Sequence, residues 1–229
     1  MFYINEVYLK MKKINFFNNI EGAIFDLDGT LLDSSWVWDM VDIKFLGDRG
    51  FDVPDDYVET ISPMGAERAA VYTIERFGLN ENPNDIVREW IDMAKKEYAV
   101  DVVCKPFAKE FLKTLADRGI KMAVATSSDR ELFMTTLERE NILQYFEHIV
   151  TVNEVERGKG YPDIYEEAAR RIKINPHNCV VFEDIYTGVY GAKIGEFNVI
   201  AVKDEKSVHN TDKIKRLADY YIECFSELM

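Results

Sequence analysis

Two aspartates separated by a single leucine, Asp26 and Asp28, follow the apolar run Ala23-Ile24-Phe25 and lead into Gly29-Thr30. The run reads as a buried strand. Like charges so close at its end repel, and burial raises the cost of keeping them ionised. Either a cation lies between the two carboxylates or the segment is a solvated turn. Other reactive side chains fall in comparable places. Thr126-Ser127-Ser128 close the run at 121–126, Lys159 lies shortly after the run at 147–152, and Glu183-Asp184 close the run at 178–183. Singly, each has a plain explanation: hydroxyls and carboxylates cap helices, and a lone lysine is most often a surface charge. As a set they would crowd one edge of one sheet.

The elements that must hold them there are legible. Short β-rich apolar runs at 22–27, 121–126, 147–152, 178–183 and 197–202 alternate with helical periodicity at 109–119, 130–142, 163–174 and 187–197. That alternation predicts an α/β fold, a doubly wound parallel sheet with crossover helices. In such sheets, sites form beyond the carboxyl ends of the strands, where the polar residues above fall. The alternation breaks once. From Ser34 to about Val103 the pattern is helical and punctuated by glycine and proline. The expected organisation is a discontinuous core domain, 20–33 plus 104–229, interrupted by an all-helical cap at 34–103. Residues 1–19 are read as an N-terminal extension, with Met11 an alternative start. Trp36, Trp38, Phe45 and Trp90 are expected to form the cap's core.

Composition bounds the function. A chain of 229 residues with 47% hydrophobic residues can bury a sizeable core. Its formal charge of −13 argues against a broad nucleic-acid contact, so any anion it handles needs a local cation. Three cysteines without a CxxC pair suit free thiols in a reducing cytoplasm. No apolar run approaches the ~20 residues of a membrane span, and charges interrupt the N-terminal segment where a signal peptide would need its apolar stretch. The expectation is a cytoplasmic protein, a monomer or weak homodimer, with neither membrane nor nucleic acid as partner.

The strings DLDGTLLDS, VATSS, GKGYPDIY and VVFEDIYTGVYGAKIGEF resemble, in order, the four motifs of the haloacid dehalogenase (HAD) superfamily. The helical insertion after the first motif is similar to that of its small-molecule phosphatases and β-phosphoglucomutases. The resemblance spans about residues 20–225 and implies a Rossmann-like core with a small helical cap. It also implies a Mg²⁺-dependent phosphatase acting on a small phosphorylated metabolite. On that reading Asp26 is the nucleophile, since a carboxylate can attack phosphorus once a divalent ion offsets the charge. Asp28 would protonate the leaving oxygen and then activate water. Mg²⁺, which takes oxygen ligands, would be held by Asp26, Asp184 and the main-chain carbonyl of Asp28, with help from Glu183. Thr126 and the backbone of Ser127 would hold the phosphoryl oxygens, and Lys159 would offset charge. Gly65 and Arg68, in the cap loop, are the candidates for substrate contact.

Departures narrow the reading. Gly160 stands where the third motif commonly has proline, and Trp38 stands where the mutase has an early-cap histidine. The missing histidine weakens a phosphosugar mutase reading, although Glu183 resembles the mutase metal site. Asp28 counts against dehalogenation, and the cap loop offers no lysine for phosphonate cleavage. A non-catalytic phospholigand or acyl-phosphate switch protein is the reading from another class; a large cap and a second aspartate serve turnover and are unnecessary in a switch.

Overall fold

A computed structural model of the protein describes residues 17–61, 64 and 66–229. Gly65 and residues 1–16 of the expected extension lie outside the described residues. The central strand, β1 (Gly22–Phe25), is buried along its whole length and runs parallel to both β4 (Lys121–Thr126) and β6 (Cys179–Glu183). Beyond them lie β5 (His148–Thr151) on one side and β7 (Asn198–Val202) and β8 (Tyr220–Ile222) on the other. The six strands form one parallel sheet in the order β5-β4-β1-β6-β7-β8. A strand buried on both faces needs no polar alternation, which is why these runs read as continuous apolar segments.

Successive side chains of a strand point to opposite faces, and the sheet is covered accordingly. Phe25 and Phe182 stack with ring centroids 4.4 Å apart, and Phe111 of α5 (Ala108–Asp117) meets both edge-on. Helix α6 (Arg130–Arg139) adds Leu132 and Phe133 to the same layer. Ile24 and Val181 face the other layer with α7 (Asp163–Ile172), α8 (Tyr186–Ile194) and α9 (Thr211–Leu217). Truncating a ring as deeply buried as Phe25 to alanine would cost about 3–5 kcal/mol. The architecture is a doubly wound α/β sheet. Its strand order turns at β1, because the chain builds β4 and β5 on one side before crossing to β6 on the other. A crevice therefore opens at the carboxyl end of β1.

Among the described residues, four helices, α1 (Val37–Gly47), α2 (Tyr57–Ile61), α3 (Ala66–Phe77) and α4 (Pro83–Val100), form the insertion. The chain leaves and re-enters the core through two short strands, β2 (Leu32–Asp33) and β3 (Val103–Cys104), which pair antiparallel. Neither strand is legible alone, since each exists only by pairing with the other. Phe45 and Trp90 meet edge-on and are buried as expected. Trp38 is not core; it is 44% exposed. Val37, Val41 and Phe45 form the inward stripe of α1 at spacings of four, and Trp38, one residue on from Val37, is turned about 100° away from it. Helix α4 docks on α6: Thr136 donates to the Tyr98 carbonyl at 2.6 Å, and Lys95 pairs with Glu131 at 2.5 Å. The described cysteines are free, and no helix among the described residues is long and apolar enough to cross a membrane.

Candidate active site

The expected strand at 22–27 stops at Phe25. Asp26 still donates its N–H to Phe182, but the Leu27 carbonyl then accepts from Thr30, Leu31 and Leu32 and folds the chain into a tight turn. Gly29 makes that turn possible, with φ +77°. A Cβ there would also lie 2.5 Å from Asp184 Oδ2, so glycine is required both by backbone conformation and by space.

This turn sends the two aspartates to different partners. Asp26 is buried and accepts from the Lys159 ammonium, which also donates to Glu183 Oε1 at 2.6 Å. Glu183, the last residue of β6, has no solvent exposure. Its Oε1 also accepts from Tyr165 of α7 at 2.9 Å, and its Oε2 accepts from the N–H groups of Asp184 and Ile185. Asp184 accepts from Thr30 Oγ1 at 3.0 Å. Helix α8 passes so close that a Cβ on Gly188 would lie 2.3 Å from Cδ of Glu183. Oxygen atoms of Asp26, Glu183 and Asp184 all lie within 4.8 Å of one another.

Three buried carboxylates crowd one lysine, and two of them, Asp26 and Asp184, hold their protons more tightly than usual. Burial holds Asp26 well above the ordinary carboxylate range; Lys159 opposes that effect, while Glu183 and Asp184 reinforce it. Asp184 is pushed up to about 7, by burial first and Glu183 second, against the pull of Lys159. Burial alone would lower the Lys159 ammonium, but Asp26 and Glu183 outweigh it and hold the group above its usual range. An all-oxygen donor set with excess negative charge fits a hard divalent cation such as Mg²⁺.

Asp28 lies apart from this cluster in its bonding. Its Oδ1 accepts from Ser34 at 2.7 Å and from the Tyr98 hydroxyl of α4, and its Oδ2 accepts from Ser128. Burial, with the Asp28 charge second, holds the Tyr98 hydroxyl above its usual range, so it stays a donor. Thr126, the last residue of β4, is fully buried and its Oγ1 accepts the Ser128 N–H at 3.1 Å; Ser127 beside it is exposed. A hydroxyl that accepts there can still donate elsewhere. Arg68 is exposed on α3, and Gly65 is outside the described residues. At the rim, Asp204 accepts from Ser35 at 2.8 Å and from Lys105 at 2.9 Å, linking the outgoing and returning segments of the insertion to the end of β7.

The site therefore gathers Asp26, Lys159, Glu183 and Asp184, while Asp28 is held by a separate set of hydroxyls, those of Ser34, Tyr98 and Ser128. Sequence reasoning passed over Tyr165, Ser34 and Tyr98 as site residues. Tyr165 follows Pro162-Asp163 closely enough for its motif to have flagged it. Tyr98 carries no local signal.

The chain matches the family model of haloacid dehalogenase-like hydrolases over residues 23–202. It belongs to that family. A probable pseudouridine-5'-phosphatase of Drosophila melanogaster is 27% identical over 220 residues, covering 89% of this chain and 92% of that one. A phosphorylated carbohydrates phosphatase of Thermotoga maritima is 25% identical over 174 residues, covering 76% and 81%. The crystal structure of β-phosphoglucomutase from Clostridium difficile shares the fold, with a TM-score of 0.68 at 19% identity, covering 92% of this chain and 93% of that chain. This HAD protein is thus an enzyme, a phosphoric monoester hydrolase.

Proposed function

We propose that this HAD hydrolase is a Mg²⁺-dependent phosphatase of a small phosphosugar, working through a phosphoryl group carried on Asp26, in the cytoplasm and as a monomer or weak homodimer. The observation that carries the reading is the convergence of Asp26, Lys159, Glu183 and Asp184 at the strand-order switch, with Asp28 held beside them by separate donors. A relative named as a phosphatase of phosphorylated carbohydrates supports the substrate class.

Asp26, Asp184 and Glu183 would hold the cation, together with the main-chain carbonyl of Asp28 that the family resemblance implies. Bound there, Mg²⁺ would neutralise the crowded carboxylates and the phosphoryl oxygens. An oxygen of Asp26 attacks phosphorus, and the bond from phosphorus to the sugar oxygen breaks. Asp28 gives that oxygen its proton. Lys159 offsets charge on Asp26 and the phosphoryl group, while Thr126 and the Ser127 backbone donate to the phosphoryl oxygens. Asp28 then takes a proton from water, whose oxygen attacks the same phosphorus; inorganic phosphate leaves and Asp26 is restored.

The same cluster could serve a mutase, but at position 38 the chain places a half-exposed tryptophan, a side chain that only donates hydrogen bonds. A mutase must keep water from its aspartyl-phosphate until the sugar bisphosphate has turned over and re-phosphorylated the aspartate, and tryptophan at this position cannot accept a proton for such a brake. The test is phosphorus NMR of β-glucose 1-phosphate and other phosphosugars with enzyme, Mg²⁺ and a trace of glucose 1,6-bisphosphate. Inorganic phosphate should accumulate. Glucose 6-phosphate with little inorganic phosphate would establish the mutase instead, and no turnover of any phosphosugar would refute both.

A further inference from the structure

Asp28 is anchored to the insertion by one side chain whose position is determined at both ends. The Tyr98 ring is 1% exposed, its hydroxyl donates to Asp28 Oδ1, and its own carbonyl is held by Thr136 of α6 at 2.6 Å. Ser34 donates to the same oxygen at 2.7 Å, whereas Oδ2 receives Ser128. A carboxylate oxygen offers about two acceptor sites. Oδ1 is therefore filled by Ser34 and Tyr98, and Oδ2 keeps one site open.

The geometry points to Tyr98 as a positioning residue for hydrolysis: it pins Oδ1 so that Oδ2 is the oxygen that exchanges protons with the leaving group and with water. This rests on the reading of Asp28 as acid and base given above. Tyr98 touches no reacting atom; it acts by stopping the Asp28 carboxylate from rotating about its Cβ–Cγ bond. Because Tyr98 comes from α4, the insertion contributes to proton transfer as well as to covering the site. Preorganised groups of this kind need no rearrangement at the moment of reaction.

The test is Tyr98→Phe, which keeps the ring and removes the donor. Steady-state kcat on a phosphosugar should fall about tenfold or more, as expected for one hydrogen bond to a charged group, with KM within about twofold of wild type. With 4-nitrophenyl phosphate, whose leaving group needs little protonation, rapid quench should show nitrophenolate released at the wild-type rate in the first turnover. The phosphoenzyme should then linger. In an Asp28→Asn background, Tyr98→Phe should cost nothing further, because its effect runs through Asp28. Wild-type or faster turnover by Tyr98→Phe, or full additivity with Asp28→Asn, would overturn the assignment while leaving the role of Asp28 intact. An Asp28→Asn enzyme with wild-type kinetics would overturn the acid–base reading itself. Should Tyr98→Phe fail to fold, Ser34→Ala removes the other donor to Oδ1 and should show the same lingering phosphoenzyme; unchanged kinetics there would equally count against the proposal.

Discussion

The Lys159 ammonium hydrogen-bonds the carboxylate of Asp26 from 133 residues along the chain, and both groups are buried. A carboxylate that deep is held by a cation that is itself buried and fixed, which is what the proposed attack by Asp26 requires. Asp26→Asn retains an oxygen acceptor for Lys159 but replaces the carboxylate proposed as nucleophile with an amide. We expect phosphate release to fall about a thousandfold or more, with the fold preserved. Circular dichroism and a phosphate-release assay check this; a folded variant with near-wild-type turnover would remove the covalent mechanism.

Divalent ions should change both activity and stability. Burial first, and the neighbouring carboxylates after it, raise Asp26 and Asp184, so a cation that offsets this buried negative charge should stabilise the folded state. Chelator should abolish turnover and lower the melting temperature, and Mg²⁺ should restore both. Ca²⁺ takes more oxygen ligands in looser geometry and should engage the Asp26 oxygen needed for attack. It is expected to raise the melting temperature while inhibiting. Equal rates with the two ions, or full activity in chelator, would contradict this.

Gly188 is a packing requirement of Glu183. A Cβ there would meet the buried Glu183 carboxylate at 2.3 Å, and that carboxylate is tied to Lys159 and Tyr165. Gly188→Ala should destabilise by about 1–3 kcal/mol, the usual cost of overpacking, and should lower activity because Lys159 moves with Glu183. Thermal melts and initial rates measured together decide it: wild-type values for both would mean Glu183 can shift without consequence.

Asp42 on α1 predicts a pH effect away from the site. Burial first, and the neighbouring Asp39 second, push it up to about 6, with Lys206 opposing. Its folded value lies above its unfolded one, so the folded protein holds the proton more tightly. The stability this supplies is present below about pH 4 and is lost as pH rises through about 6. At ~1.4 kcal/mol per pH unit the shift would amount to about 3 kcal/mol, and solvent screening of a group this near the surface reduces the expected loss to about 1–2 kcal/mol. Asp42→Asn should therefore be more stable than wild type by about that amount near neutrality and indistinguishable from it near pH 4. Denaturation curves at the two pH values measure the difference; parallel loss in both proteins would assign the effect elsewhere.

The sequence by itself determined the sheet and the edge where chemistry gathers. Strands β1, β4, β5, β6 and β7 are apolar runs because they are buried on both faces, and Asp26, Thr126, Glu183 and Asp184 follow from where those runs end. Edge strand β8 was not legible: it is short, partly exposed and carries no comparable run. Nor was the β2–β3 ribbon, whose strands exist only as each other's partner. Tertiary structure alone decided how the carboxylates are divided. Asp26 and Asp28 are two residues apart and look equivalent in a strand, yet the turn at Gly29 gives one to Lys159 and the other to Ser34, Ser128 and Tyr98. Tyr98 lies 70 residues from Asp28 and on another element. Local periodicity records which face of a helix is buried, but the atom that a buried hydroxyl meets is set by how α4 docks on α6, and no spacing along the chain encodes it.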